Sequence, residues 1–256
     1  MSEPTEKADP LSPHPSAMEI ISARFAPLPF NLTEDQLHLL VRYLALFQHW
    51  NATFSFSRFE SLTEILDNLV LPSVALALLL RSPANLLDIG SGPGIPGIPI
   101  KMILPALDVT LIEARERSLE FIETCRDEPA LEGLRVVPGR AESLAHDPGL
   151  RAAFDTVVTR GLAPLPLAIE IASGFARPGG FVMVHCPSGT SSHLAAHGPA
   201  LSRLGVRFGR VGGISIPSIP DSPVPFAQFE QIKAAGERYP RAWKAMKRRP
   251  LWPVEH

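Results

Sequence analysis

Apolar residues recur along this chain with two different periods. From Thr33 to Asn51, residues Leu37, Leu40, Val41, Leu44 and Phe47 fall at three- and four-residue spacing, which puts them on one face of a helix. Thr33 offers an N-cap there, with Gln36 three residues on as its capping-box partner. A second helical stretch opens at Ser61 with Leu62, Ile65, Leu66 and Leu69. Pro72 is expected to interrupt it before it resumes through Leu80. From Asn85 the pattern changes, and short apolar runs alternate with helical segments. Strands are predicted at 86–89, 109–112, 135–137, 156–159 and 181–185, with helices at 98–104, 115–128, 142–150 and 165–175. Repeated β-α units of this length imply a parallel sheet covered on both faces. Two more extended segments, 207–216 and 226–232, are expected to finish the sheet as an antiparallel hairpin. Pro217, Pro220, Pro223 and Pro225 predict a long irregular loop between them.

The segmentation that follows has four parts. Residues 1–32, rich in Pro, Ser and Glu, are expected to be a disordered extension. Residues 33–82 form a helical cap, 83–235 the α/β domain, and 236–256 a basic tail. Composition narrows the class. The 256 residues are 45% hydrophobic with a net charge of −2, as expected of a soluble globular protein with any basic footprint confined to one region. The two cysteines, Cys125 and Cys186, are too few for a disulfide framework and lack metal-ligand spacing. The apolar runs fall short of the ~20 residues of a membrane span, and no secretory signal opens the chain. A cytoplasmic, monomeric protein without a metal is expected.

Candidate chemistry concentrates in LLDIGSGPGIPGIPI, residues 86–100. An apolar strand, a glycine loop and a proline-marked helix start make a place where backbone N–H groups approach a charged small molecule. Gly92, Gly94 and Gly97 spell G-x-G-x-x-G, which alone suits NAD as well as S-adenosylmethionine. Asp88, two residues before Gly90, would repel a pyrophosphate and pair with the amino group of a methionine moiety. Glu113, ending the next strand, suits ribose hydroxyls in either kind of site. Asp88, Glu113, residues 140–142 and Arg160 all fall at strand ends, where ligands of such sheets sit. The tail residues Lys233, Arg238, Arg241, Lys244, Lys247, Arg248 and Arg249 are interleaved with Tyr239, Trp243 and Trp252. That mixture suits phosphate contact and base stacking as well as it suits a solvated tail. Trp50, Phe54 and Phe56 are further candidate stackers, with core packing the alternative.

These residues carry a resemblance. The glycine loop with its P-G-I-P continuation, YLALFQHWN (43–51), ILDNL (65–69), VTLIEAR (109–115), GRAES (139–143), FDTVVTRGLAPL (154–165) and RYPR (238–241) resemble the RsmG (GidB) family of 16S rRNA guanine-N7 methyltransferases. The resemblance implies a class I S-adenosylmethionine-dependent methyltransferase fold, an α/β Rossmann-like sheet, mostly parallel with a C-terminal antiparallel hairpin and N-terminal helices. It implies S-adenosylmethionine as cofactor and 16S rRNA or the small ribosomal subunit as partner. Gly90, Ile95, Ala141, Glu142 and Arg160 would line the cofactor pocket beside Asp88, Gly92, Gly94 and Glu113. Arg160 is also the candidate catalytic residue, ordering cofactor, base or both; a salt bridge to Glu142 or Asp155 is its structural alternative. His185, Arg238, Arg241 and Lys244 are the candidate RNA contacts. The chain departs from the family at 54–57 (FSFS), at Glu64 in place of histidine, and at His185 in place of lysine, followed by Cys-Pro-Ser-Gly. A small-molecule methyltransferase and a non-catalytic cofactor-binding module are the alternatives on the same fold.

Overall fold

The structure, a computed structural model, describes residues 15–80, 84–127, 131–186 and 194–254. The expected sheet is present. Its strands are β1 (Asn85–Ile89), β2 (Asp108–Glu113), β3 (Leu134–Pro138), β4 (Phe154–Thr159), β5 (Ala176–His185), β6 (Val206–Ile216) and β7 (Ile219–Gln231). They lie in the order β3-β2-β1-β4-β5-β7-β6. The first five are parallel, and β7 runs antiparallel to both β5 and β6. Successive side chains alternate between two cores, as the strand period requires. Leu86, Val158 and Met183 join one core, while Leu87, Val157 and Val182 join the other. Asp88 therefore points to the same side as Leu86.

The first core is covered by α1 (Pro15–Phe25), α2 (Glu34–Phe54), α3 (Leu62–Ile65), α4 (Leu71–Ala77), α5 (Gly97–Ile103) and α6 (Glu116–Arg126). The capping box at Thr33 and Gln36 forms in full, and a second joins Ser61 to Glu64, which accounts for the acidic residue there. Residues 15–32 are not disordered. Ala17, Ile21 and Phe25, four residues apart along α1, are buried with Leu28. Arg24 pairs with Asp67 at 2.8 Å. Three apolar positions at helical spacing outweigh the polar composition around them; residues 1–14 lie outside the described part.

Pro72 does not break the second helical stretch. A wide π-type turn, Leu66–Val70, links α3 to α4 and absorbs the proline near the start of α4. The helix expected over 142–150 shrinks to one turn, α7 (Ala141–Leu144). Pro148 disfavours helix at Asp147, whose carboxylate instead accepts the Gly149 N–H at 2.7 Å. The long loop expected between the last strands is a tight turn, with Ile216 opposite Ile219. Pro225 fits inside β7 because it faces the end of β5, where its carbonyl accepts from Cys186 N–H at 3.2 Å.

The second core is covered by α7, α8 (Leu165–Ser173), α9 (Gly198–Arg203) and α10 (Trp243–Arg248). The expected basic tail is thus part of the domain, with Tyr239, Met246 and Trp252 buried in this core. One guanidinium, that of Arg151, donates to the carbonyls of Ala145, Ala235, Gly236 and Tyr239. Arg241 grips the buried Glu170 through Nε at 2.8 Å and Nη2 at 2.6 Å, and its own backbone N–H donates to the same carboxylate.

Candidate active site

The glycine loop is held from below by two carboxylates. Asp88, fully buried, accepts the Gly97 N–H at 2.8 Å and so caps the start of α5. Glu113 accepts Gly92 N–H at 2.6 Å through Oε2, and the N–H groups of Ala114 and Arg115 at 2.8 Å through Oε1. The backbone N–H groups of Gly90 and Ser91 both donate to the Ile112 carbonyl. Two positions in the loop favour glycine. A Cβ on Gly90, at φ +66°, would lie 2.5 Å from Leu162 Cδ1, and one on Gly97 would lie 2.3 Å from Leu111 and 3.1 Å from Asp88 Oδ2.

Above the loop, at the carboxyl ends of the strands, opens a cleft of about 370 Å³, within the range of small-molecule sites. Gly90 forms its floor, with Glu113 and Arg115 at the end of β2, residues 139–142 after β3, Gly161 and Leu162 after β4, and Trp243 of α10 around it. Of the expected cofactor residues, Gly90, Glu113, Ala141 and Glu142 line this cleft. Asp88, Gly92, Gly94 and Ile95 do not; they build the loop behind it, and Ile95 packs in the first core. Asp88 was expected to meet a ligand's amino group, but its burial and its bond to Gly97 make it a brace.

That brace separates the two cofactor readings. A pyrophosphate needs the free N–H groups of the helix start, and here Asp88 already holds the Gly97 N–H. The cleft offers two carboxylates, Glu113 and Glu142, which suit ribose hydroxyls and a cationic ligand. Glu113 Oε2 accepts the Gly92 N–H and keeps a lone pair for another donor. The donor set fits S-adenosylmethionine.

A second cluster sits beside the cleft. Thr159 and Val184 are register partners, so Arg160 and His185 follow on adjoining strands. Arg160 makes no ion pair among the described residues, and burial pushes its guanidinium down. Neither expected salt bridge forms; Asp155, at the opposite end of β4, pairs with Arg177. Arg160 Nη2 instead donates to the Asn68 carbonyl at 2.9 Å. That carbonyl is available because Pro72, four residues on, has no N–H to return to it. The N-terminal helices thereby reach into the site. Burial and the nearby Arg160 lower His185 to about 4, so it is a neutral imidazole at physiological pH and not a phosphate-binding cation.

Other expected contacts are placed elsewhere. Arg241 is consumed by Glu170, whereas Lys244 is exposed. Arg238 lies over the Tyr239 ring at 4.8 Å. Trp50, Phe54 and Phe56 are half-buried and pack on one another, and Trp50 and Phe56 also pack on Phe121. Cys125 and Cys186 are buried. The sequence pointed to neither Arg115 nor Trp243 as cleft residues. Arg115 carried a signal, two residues past Glu113 at a strand end; Trp243 stood out as one of the tail aromatics suited to stacking, but its place in this cleft depends on how the C-terminal segment folds back.

Burial and the neighbouring Glu113 carboxylate raise Asp88 to about 7, against the opposing Gly97 hydrogen bond. The native state therefore holds a proton that the unfolded chain releases near pH 4. This contribution to stability is complete below about pH 4 and disappears as pH rises through 7, with a ceiling of about 4 kcal/mol. Asp88→Asn keeps an acceptor for Gly97 and removes the titration. Denaturant unfolding from pH 5 to 8 should show the variant gaining on the wild type as pH rises; parallel curves would refute this.

The family model described as rRNA small subunit methyltransferase G matches residues 36–197. The ribosomal RNA small subunit methyltransferase G of Streptococcus suis (strain 05ZYH33) is 28% identical over 236 residues, 91% of this chain and 99% of its own. That of Desulfitobacterium hafniense (strain Y51) is 33% identical over 181 residues, 71% of this chain and 75% of its own. The O-methyltransferase TomG of Streptomyces achromogenes, solved with S-adenosylmethionine, shares the fold at 17% identity and TM-score 0.51, covering 84% of this chain and 96% of its own. With the sheet, the braced glycine loop and the cleft above it, these matches place the chain in the GidB family of small-subunit rRNA methyltransferases, with the fold of S-adenosylmethionine-dependent enzymes.

Proposed function

We propose that the protein methylates N7 of a guanine in 16S rRNA, with S-adenosylmethionine held in the cleft by Gly90, Glu113, Ala141 and Glu142. Bound there, the cofactor supplies a methyl on a cationic sulfur, whose bonding pair stays with sulfur on transfer. The observation that carries this reading is the ion-pair-free Arg160 beside a neutral His185, next to a cleft that suits a cationic donor. Guanine N7 carries an in-plane lone pair and no proton, so its attack requires no general base. The site's task is alignment, which can supply ~7–11 kcal/mol of a barrier. Arg160 suits the Hoogsteen edge, where O6 accepts a hydrogen bond and leaves the N7 pair free. His185, uncharged, can hydrogen-bond the base without adding a second cation beside Arg160.

Part of the basic footprint lies on the exposed face of α10. Lys244, Lys247 and Arg248 are exposed on the helix that brings Trp243 to the cleft. Their position suits phosphates flanking an unpaired base that enters the site. A small-molecule methyltransferase would have no use for these cations.

Small subunits from cells lacking the enzyme, incubated with labelled cofactor, should gain one N7-methylguanine, mapped by borohydride and aniline cleavage. No new cleavage site would count against the proposal. The triple variant Lys244→Ala, Lys247→Ala, Arg248→Ala should keep its cofactor affinity and melting temperature. Its RNA affinity should lose salt dependence, with a log–log slope shallower by about two. Pro72→Ala restores an N–H that competes with Arg160 for the Asn68 carbonyl. It should lower kcat by about ten-fold, the value of one charged hydrogen bond, without lowering stability. It should have no further effect in an Arg160→Ala background; additive losses would show that Pro72 acts elsewhere.

A further inference from the structure

Among the described residues that line the cleft, Trp243 alone follows the last strand, and its flanking residues are anchored on both sides. Immediately before it, Arg241 is tied to the buried Glu170 by both its side chain and its backbone N–H. Upstream, Arg151 gathers the carbonyls of Ala235, Gly236 and Tyr239, and His146 Nε2 lies 2.9 Å from the Pro240 carbonyl. Downstream, Met246 is wholly buried and Trp252 stacks on His197 at 5.0 Å. This anchoring goes beyond what packing an amphipathic turn requires. It leaves a half-buried indole at a cleft whose other lining residues among those described, Ile112, Ala114, Ala141 and Leu162 with glycines and charged groups, include no second aromatic ring.

A planar aromatic wall in a small-molecule cleft suits a planar heterocycle, because such pairs stack favourably whatever the ring's hydrogen-bonding edge. Two heterocycles are available to this protein, the cofactor's adenine and the substrate's guanine. Position separates them. Trp243 shares its cleft with Glu113 at the end of β2 and with Ala141 and Glu142 after β3, whereas Arg160 and His185 lie at the ends of β4 and β5. We infer that Trp243 is a cofactor-binding residue that stacks on the adenine of S-adenosylmethionine, so that the C-terminal segment supplies a wall of the cofactor site. The inference rests on the proposed cofactor cleft and adds to it a residue outside the span matched by the family model, which ends at residue 197. Because the ring is already pinned, it gives up little freedom on binding, and the stacking energy goes into affinity.

S-adenosylhomocysteine is the probe. Calorimetry on the full-length protein should show Trp243→Ala binding it about ten-fold more weakly than wild type, with Trp243→Phe between the two. The alanine variant loosens α10 as well as removing the ring, so a second measurement keeps the wild-type indole. The chain has three tryptophans, and Trp50→Phe with Trp252→Phe leaves Trp243 alone. Its fluorescence should change on titration with S-adenosylhomocysteine, saturating at the affinity found by calorimetry. An emission unmoved at saturation, or a Trp243→Ala protein that binds as tightly as wild type, overturns the role of Trp243 and leaves the cleft intact. A response to guanosine in place of S-adenosylhomocysteine would assign the ring to the substrate base and equally overturn it. A wild type that takes up no S-adenosylhomocysteine overturns the cofactor cleft, and the stacking role with it.

Discussion

Two carboxylates buried beneath the glycine loop, Asp88 and Glu113, determine what this protein can hold. Glu113 accepts the backbone N–H groups of Gly92, Ala114 and Arg115, while Asp88, raised to about 7 by burial, accepts that of Gly97 through one oxygen. A buried carboxylate without such donors would be costly, so the loop and the acids stabilise one another. The same arrangement fills the helix start that an anionic ligand would need. It leaves a cleft with carboxylates at Glu113 and Glu142 instead, and the choice between two cofactor classes is shared by Glu113, which lines the pocket, and Asp88, which lies behind it.

Arginines here divide between scaffold and site. Arg24, Arg151 and Arg241 join segments far apart in the chain, from α1 to the π-type turn and from the C-terminal segment to α7 and α8. Counting basic residues along residues 236–256 therefore overstates the surface available to RNA. Arg160 is the contrary case, a cation held by a single carbonyl that a proline leaves without its helical partner. Its anchor comes from the N-terminal helices, which thus shape the site as well as finish the core.

Much of this was legible in the sequence. Strand alternation, the capping box at Thr33 and the strand-end position of Glu113 follow from local chemistry, and the structure reproduces them. The errors have physical causes in common. Pro72 and Pro225 looked like breaks because the rule against internal proline assumes that every N–H has a partner waiting; a π-type turn at Pro72 and the end of β5 at His185, beside Pro225, remove that demand. The first helix was hidden by polar composition around Ala17, Ile21 and Phe25. Asp88 was assigned to the ligand because sequence places it beside the loop but does not say which face of β1 it occupies. Trp243 and the Arg241–Glu170 pair depend on contacts between residues distant in sequence, and spacing carries no information about these.

The way Trp243 meets the cleft bears on when the protein becomes competent. Gly90 to Leu162 emerge from the translating ribosome early and can arrange their part of the cleft, but the indole and the arginine that pins it are made much later. A nascent chain halted before Trp243 would have a sheet and a glycine loop yet only an open-sided cavity. An enzyme whose substrate belongs to the ribosome thus closes this cleft only after all seven strands of its sheet have been made.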